Sequence, residues 1–132
     1  MWEIELYSTD THEEVVADFL DGLPRKHRAK AFWEIELLST YGTSLKQPYV
    51  KHIDGDLWEL RIKFSSDISR IFYFVATDTK IVLLHGFVKK TDKTPPNEIE
   101  TANKRMADYK ERCSEWTLRN IRKRRLGPIP SC

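Results

Sequence analysis

Strict alternation of apolar and charged residues in the middle of the chain is its clearest pattern. In residues 57–64, LWELRIKF, every second side chain is apolar, so one face of a strand packs and the other is charged. Residues 69–76, SRIFYFVA, and 81–88, IVLLHGFV, follow after short polar turns. This spacing predicts a meander of three antiparallel strands, the last buried on both faces because nearly all its residues are apolar.

Helical spacing precedes and follows this meander. Residues 2–7 alternate as a first strand, and two helices follow, joined by a Gly-Leu-Pro turn at residues 22–24. The second, over residues 24–41, is expected to bury an apolar set: Ala29, Phe32, Trp33, Leu37 and Leu38. A shorter strand is expected over residues 49–53, and a final helix is expected to start at Pro95 or Pro96, with one apolar stripe: Ile99, Ala102, Met106, Tyr109 and Cys113.

These elements predict an α+β fold, with a small, mainly antiparallel sheet, an N-terminal α-hairpin and a C-terminal helix. At 132 residues, with 40% hydrophobic and 32% charged residues, the chain has the size and composition of one globular domain. We expect that domain to span residues 1–113. Residues 114–132 carry five Lys/Arg against one Glu and predict a basic, flexible tail, with an RNA arm or a partner-binding segment as alternatives.

Several classes of function are excluded by what the sequence lacks. No apolar run is long enough for a membrane span, and the acidic, strand-like N-terminus is unlike a signal peptide, so we expect a cytoplasmic protein without a membrane partner. The chain has no GxSxG motif, no glycine-rich phosphate loop and no Cys/His spacing typical of a zinc site. Neither a metal nor another cofactor is therefore predicted.

Cations at strand ends and on one strand face remain as candidates for chemistry. Arg61 lies on the charged face of its strand, Arg70 begins the next strand, and Lys89 and Lys90 end the last. If the strands are adjacent, these four side chains can converge on a phosphodiester and stabilise the negative charge that develops as a ribose 2′-hydroxyl attacks it. A lysine crowded by other cations can also exchange protons at neutral pH, because like charge lowers its pKa.

Each candidate also has a purely structural interpretation. The lysine cluster after residue 88, which includes Lys93, can be a solvated basic turn instead of a phosphate site, and the charged strand face can simply contact water. His85 lies within an apolar strand and is interpreted first as a hydrogen-bonded core residue. Tyr109 falls on the helix stripe and is interpreted first as core.

The strand sequences and the segment LLHGFVKKTDKTPPNEI resemble the HigB-like toxins of the RelE superfamily, including their phage-derived branch. The likeness extends from Trp2 to about Arg112. It implies a RelE-like fold and a metal-independent endoribonuclease, an mRNA interferase, that cleaves messenger RNA in the ribosomal A site. It also implies a cognate antitoxin, often a helix-turn-helix protein. Arg70 matches the family's strand-initial arginine, and Lys89 and Lys90 match its basic residues after the last strand, whereas Arg61 is a looser match. The family's C-terminal catalytic tyrosine or histidine has no clear equivalent.

The resulting expectation is a toxin of a type II toxin–antitoxin system that inhibits translation. Arg61 and Arg70 would clamp the phosphate, and Lys89 and Lys90 would stabilise charge or relay protons. Lys63 and Lys93 are expected to bind RNA. The alternative is a non-catalytic module, a decayed toxin that binds an antitoxin or the ribosome through the same basic surface.

Overall fold

The computed structural model describes residues 1–89 and 94–122, which form five strands and three α-helices. The strands are β1 (Glu3–Leu6), β2 (Val50–Asp54), β3 (Leu57–Phe64), β4 (Asp67–Val75) and β5 (Lys80–Lys89). The helices are α1 (Val15–Asp21), α2 (Arg25–Tyr41) and α3 (Pro96–Arg122), and a 3-10 turn, Gly42–Ser44, follows α2. The predicted order of elements is confirmed.

The strands form one sheet in the order β1-β5-β4-β3-β2, in which only the β1/β5 pair is parallel. The predicted meander is its centre, because β4 pairs antiparallel with both β3 and β5. Placing β1 beside β5 needs a connection over the sheet, and the α1/α2 hairpin begins that connection. The mainly antiparallel α+β fold expected from the sequence is therefore confirmed.

The helices cover opposite faces of the sheet. On one face, His27 of α2 shares a 2.7 Å hydrogen bond with Ser69 of β4. On the other, Tyr109 of α3 meets the ring of Phe74 edge-on at 5.7 Å. Because β4 and β5 lie between these two layers, their side chains are buried on both sides, as the apolar sequence of β5 predicts.

The buried face of α2 differs from the predicted one. The side chains that point into the protein are His27, Ala31, Glu34 and Leu38, spaced four, three and four residues apart. Phe32 and Trp33 are half exposed, and of the predicted set only Leu38 is fully buried. The apolar residues of α2 do not define a single stripe, so contacts set the rotation of the helix: the small Ala31 permits close approach, and His27 bonds to the sheet.

The final helix is longer than predicted. Its apolar stripe packs on the sheet as expected, with Ala102 and Tyr109 buried, but α3 continues to Arg122 instead of ending at Cys113. Nothing between Ser114 and Arg122 opposes a helix, since the first glycine and proline after this point are Gly127 and Pro128. Residues 114–122 are therefore helical, and residues 123–132 lie outside the described residues; the division into a domain and a flexible tail stays a prediction.

No described helix, α3 included, is long and apolar enough to cross a membrane.

Close packing of α1 on the sheet depends on a glycine in β5. A Cβ atom added at Gly86 would overlap the ring of Phe19 in α1. The ring thus occupies the space that any larger residue at position 86 would need. Gly86 serves the packing of the sheet in this way.

Replacement of Gly86 by alanine is expected to lower the free energy of unfolding by about 1–3 kcal/mol, because the added methyl group overpacks the core. Urea denaturation of Gly86→Ala measures the loss. Adding Phe19→Leu should recover part of it, since a smaller side chain makes room for the methyl group. Val88→Ala, at a half-exposed position of the same strand, is the control. A Gly86→Ala protein as stable as the parent would contradict this account.

Candidate functional site

The predicted cations of β3 and β4 lie on the face of the sheet that α3 covers. Arg61 and Arg70 are directly opposite each other in the β3/β4 pairing, so their side chains project to the same face. Two residues along β3, Lys63 is opposite Ile68, which in turn is opposite Lys89 of β5. Arg61, Lys63 and Arg70 are called the basic face below.

Arg70 is the most buried member of the basic face. Its Nη1 atom lies 2.9 Å from Oε1 of Glu59, and both side chains are only 2% exposed. Burial lowers the pKa of Arg70; Glu59 raises it, and neighbouring Arg61 lowers it further. Within the part of the chain that the structure describes, Nε and Nη1 of Arg70 have no acceptor in good hydrogen-bonding geometry. The pair is therefore a buried ion pair that leaves donors of the guanidinium unused.

Glu59 was expected on an exposed charged face, and the structure shows that its side chain is buried. The β3/β4 register places Glu59 opposite Phe72, and the Thr94 hydroxyl, two residues before α3, donates a 3.3 Å hydrogen bond to Oε2 of Glu59. The segment that leads into α3 therefore lies over the ion pair at Thr94. Alternation correctly assigned Glu59, Arg61 and Lys63 to one face but could not show that Glu59 is buried there.

Arg61 and Lys63 face solvent more than Arg70 does, Arg61 half-buried and Lys63 exposed. They line an open cleft of about 580 Å³ at the outer edge of β3, together with Lys30, Glu34, Pro48, Tyr49, Ser65 and Ile68. The cleft exists because β2 is short: its pairing begins at Val50 opposite Leu60, and Arg61 bonds through its amide to the Tyr49 carbonyl at 2.7 Å. Beyond Arg61 this edge of β3 has no further strand among the described residues.

A buried carboxyl group lies in the wall of the same cleft. Glu34 of α2 is 3% exposed, and its Oε2 atom has no hydrogen-bond partner among the residues described. Burial raises its pKa to about 7, although the positive charge of Lys30 opposes the shift. Near neutral pH, Glu34 therefore exists both as a carboxylate and as a carboxylic acid.

The remaining predicted site residues are located only in part. Lys89 is the last residue of β5 and pairs with Ile68 of β4. The structure describes the backbone of Lys89 but not its side chain. Lys90 and Lys93 lie outside the described residues. Their assigned roles stay predictions.

His85 is held between the sheet and α3. Arg105 donates from Nη1 to Nδ1 of His85 at 3.0 Å, so the ring proton is on Nε2, which lies 2.6 Å from Oε2 of Glu98. Burial lowers the pKa of His85; Glu98 opposes this shift and Arg105 reinforces it. This neutral, doubly bonded ring agrees with the structural interpretation of His85.

A family model, the phage-derived protein Gp49-like family (DUF891), matches residues 18–107. This match covers more than half of the chain. The chain belongs to the Gp49-like family. The family is a RelE-like toxin family, and such membership implies a cognate antitoxin. The match runs from within α1 to within α3, so it includes the basic face and the cleft. No curated protein matches the chain at a significant level.

Sequence reasoning about this Gp49-like chain missed two acidic residues of the site. Glu59 was placed on the correct face without its partner, and Glu34 was not among the candidates. One signal was present for Glu34. It lies three residues after Ala31 and four before Leu38, so it shares the helix face of these two buried residues. No three His, Cys, Asp or Glu side chains come together as a possible metal site in the described ranges 1–89 and 94–114.

Removal of either partner of the ion pair is expected to destabilise this Gp49-like protein strongly. Glu59→Ala leaves the Arg70 guanidinium buried without a counter-charge, which costs about 3–5 kcal/mol of unfolding free energy. The double variant Arg70→Met/Glu59→Leu should recover most of that loss, because it removes both charges. Chemical denaturation measures the free energy of unfolding of the parent, of Glu59→Ala and of the double variant. Glu100→Ala, which breaks an exposed pair with Lys104 on α3, serves as control and should cost less than about 1 kcal/mol. Equal losses in the single and double variants would refute the coupling.

Acidification is expected to destabilise the fold through His85. Its pKa is lower in the folded protein than the ordinary value of 6.5, so the unfolded chain binds the proton first. The contribution of the neutral ring is present above pH 6.5 and is lost as the pH falls below that value. Denaturation curves between pH 8 and 5 test this. His85→Gln should show a smaller fall in stability over that range than the parent, and an unchanged profile would refute the assignment.

Proposed function

We propose that this protein is the toxin of a type II toxin–antitoxin system and that it cleaves messenger RNA on the ribosome. The observation that carries the proposal is the convergence of Arg61, Lys63 and Arg70 on one face of the sheet beside an open cleft, in a chain of a RelE-like toxin family. Cations that converge beside an opening suit a bound phosphodiester.

The electrostatics of the basic face favour an added anion. Arg61 and Arg70 are neighbours of like charge, and only one carboxylate, Glu59, forms an ion pair with this group in the described chain. A phosphate between the arginines would relieve their repulsion and would accept hydrogen bonds from the unused N–H groups of Arg70. The same contacts would strengthen as negative charge develops on the non-bridging oxygens during cleavage.

The proposed roles follow from these positions. Arg61 and Lys63 meet the RNA backbone at the edge of the cleft, whereas Arg70 stabilises the phosphate from beneath. Lys89 and Lys90 supply further positive charge or a proton relay, and Lys93 binds RNA. The ribosome positions the 2′-hydroxyl in line with the scissile bond. A helix-turn-helix antitoxin is the proposed partner that restrains the activity.

The burial of Arg70 favours a second candidate. A guanidinium that is 2% exposed and paired with Glu59 is not open to RNA unless the segment above it moves. A protein that keeps this pair closed would bind a ribosome or an antitoxin through Arg61 and Lys63 without cutting RNA. Ribosome binding without new RNA ends distinguishes this non-catalytic module from an active toxin.

Induced expression of the chain in bacteria is expected to arrest growth and to produce new 5′ ends within translated messages. Arg61→Ala should lower the rate of message cleavage by about 10²-fold, the usual effect of losing one group that stabilises transition-state charge. Primer extension on a defined message measures it.

Lys104→Ala is the matched control for this experiment. Lys104 is an exposed cation of α3 that pairs with Glu100 away from β3, so its loss should leave cleavage unchanged. Normal growth and intact messages at good expression of the parent would contradict the proposed activity.

A further inference from the structure

The cleft at the edge of β3 combines two opposite chemical environments. Its rim carries the cations Lys30, Arg61 and Lys63, and its wall contains the buried carboxyl group of Glu34. At about 580 Å³ it has the size of a small-ligand site. A ligand that satisfies both environments must be anionic at one end and rich in hydrogen-bond donors at the other.

Glu34 needs a donor that the described protein does not supply to it. A buried carboxyl oxygen without a hydrogen bond costs free energy, and such atoms are rare enough in folded proteins to require an explanation. Lys30, one helical turn earlier, acts on Glu34 electrostatically, but its Nζ atom lies 4.4 Å from the centroid of the Trp33 ring. The Oε2 atom of Glu34 is therefore a buried acceptor without a donor, in a side chain that lines the cleft.

An aromatic side chain and its support complete the wall. Tyr49 lines the cleft and is half-buried, and Trp33 holds it with an edge-on ring contact at 6.3 Å. Its backbone carbonyl is fixed by the amide of Arg61. Such a ring offers a planar surface for a nucleobase, which is how single-stranded RNA is commonly recognised.

We infer that this cleft binds a guanine base of single-stranded RNA, with Glu34 accepting hydrogen bonds from its Watson–Crick edge, Tyr49 contacting its face and Arg61 and Lys63 holding the adjoining phosphate. Guanine is selected because its N1–H and N2–H₂ groups are two adjacent donors, which match an acceptor-only carboxylate. Adenine and cytosine each offer one amino donor beside an unprotonated ring nitrogen that would repel the carboxylate. This inference rests on the proposed function, because it names the base next to the phosphate in that same site.

The test measures binding of the full chain to four fluorescent RNA pentamers, UUXUU with X as G, A, C or U, by fluorescence anisotropy at low salt. The guanine pentamer should bind about tenfold more tightly than the others, the usual discrimination from one bidentate contact. Glu34→Gln should reduce that preference to less than about twofold. Glu36→Gln, at an exposed position of the same helix, is the matched control and should keep the preference.

The pH dependence adds a readout that a merely structural role of Glu34 would not change. Since the pKa of Glu34 is raised to about 7, its carboxylate form increases from pH 6 to pH 8, and the preference for guanine should increase with it. The charged groups that line the cleft around it are Lys30 of α2 and Arg61 and Lys63 of β3. Glu34→Gln removes this carboxyl group and should show no such increase.

The outcomes separate this inference from the proposed function. Arg61→Ala should weaken the binding of all four pentamers to the same extent, because Arg61 is proposed to contact the phosphate and not the base. Equal binding of the four pentamers, or a guanine preference that survives in a folded Glu34→Gln variant, would overturn the guanine site even if the protein cleaves messages. A preference that depends on Glu34 would support the site even if growth is unaffected. Guanosine monophosphate that binds as tightly as the pentamer would overturn RNA as the ligand.

Discussion

The buried ion pair between Arg70 and Glu59 constrains most of this molecule. Neither charge can be placed in the interior alone, so β3 and β4 must be in the register that brings Glu59 to Arg70 for the pair to be buried. Thr94 adds a hydrogen bond from the segment leading into α3. Together these contacts join the sheet to the last helix at the centre of the basic face, where the RNA phosphate is proposed to bind.

That location creates a competition between the fold and the proposed activity. Glu59 neutralises Arg70 in the free protein, and a phosphate would have to share the guanidinium with it or displace it. The Nε donor of Arg70 favours sharing, because it has no acceptor and can bind an anion while Nη1 remains near Glu59. Burial also keeps the local dielectric low, so each charge in this region acts more strongly than it would at the surface.

Periodicity was enough to predict the elements and the fold class. The alternation in β3 and the apolar run in β5 have a single reasonable interpretation, and the α3 stripe is equally clear. The rotation of α2 was not predictable, because the helix buries the polar His27 and Glu34 while the apolar Phe32 and Trp33 are half exposed, and contact with Ser69 and the sheet decides the face. Glu34 was missed for this reason. The Arg61/Arg70 juxtaposition follows from the hairpin register, but the burial of Arg70 with Glu59 depends on tertiary packing, which has no local signal in the sequence.

The two edge strands, β1 and β2, each cover only part of the neighbouring strand. β1 pairs with residues 80–83 of the longer β5, and β3 likewise runs past the short β2, which leaves backbone groups open from Ile62 to Phe64. Unpaired edges invite another strand and hence aggregation, and natural proteins often guard them with lysine. Lys63 lies at the middle of the open segment and is exposed. Its charge therefore opposes pairing of this edge with the edge of another sheet, while it leaves the edge accessible to a polyanion.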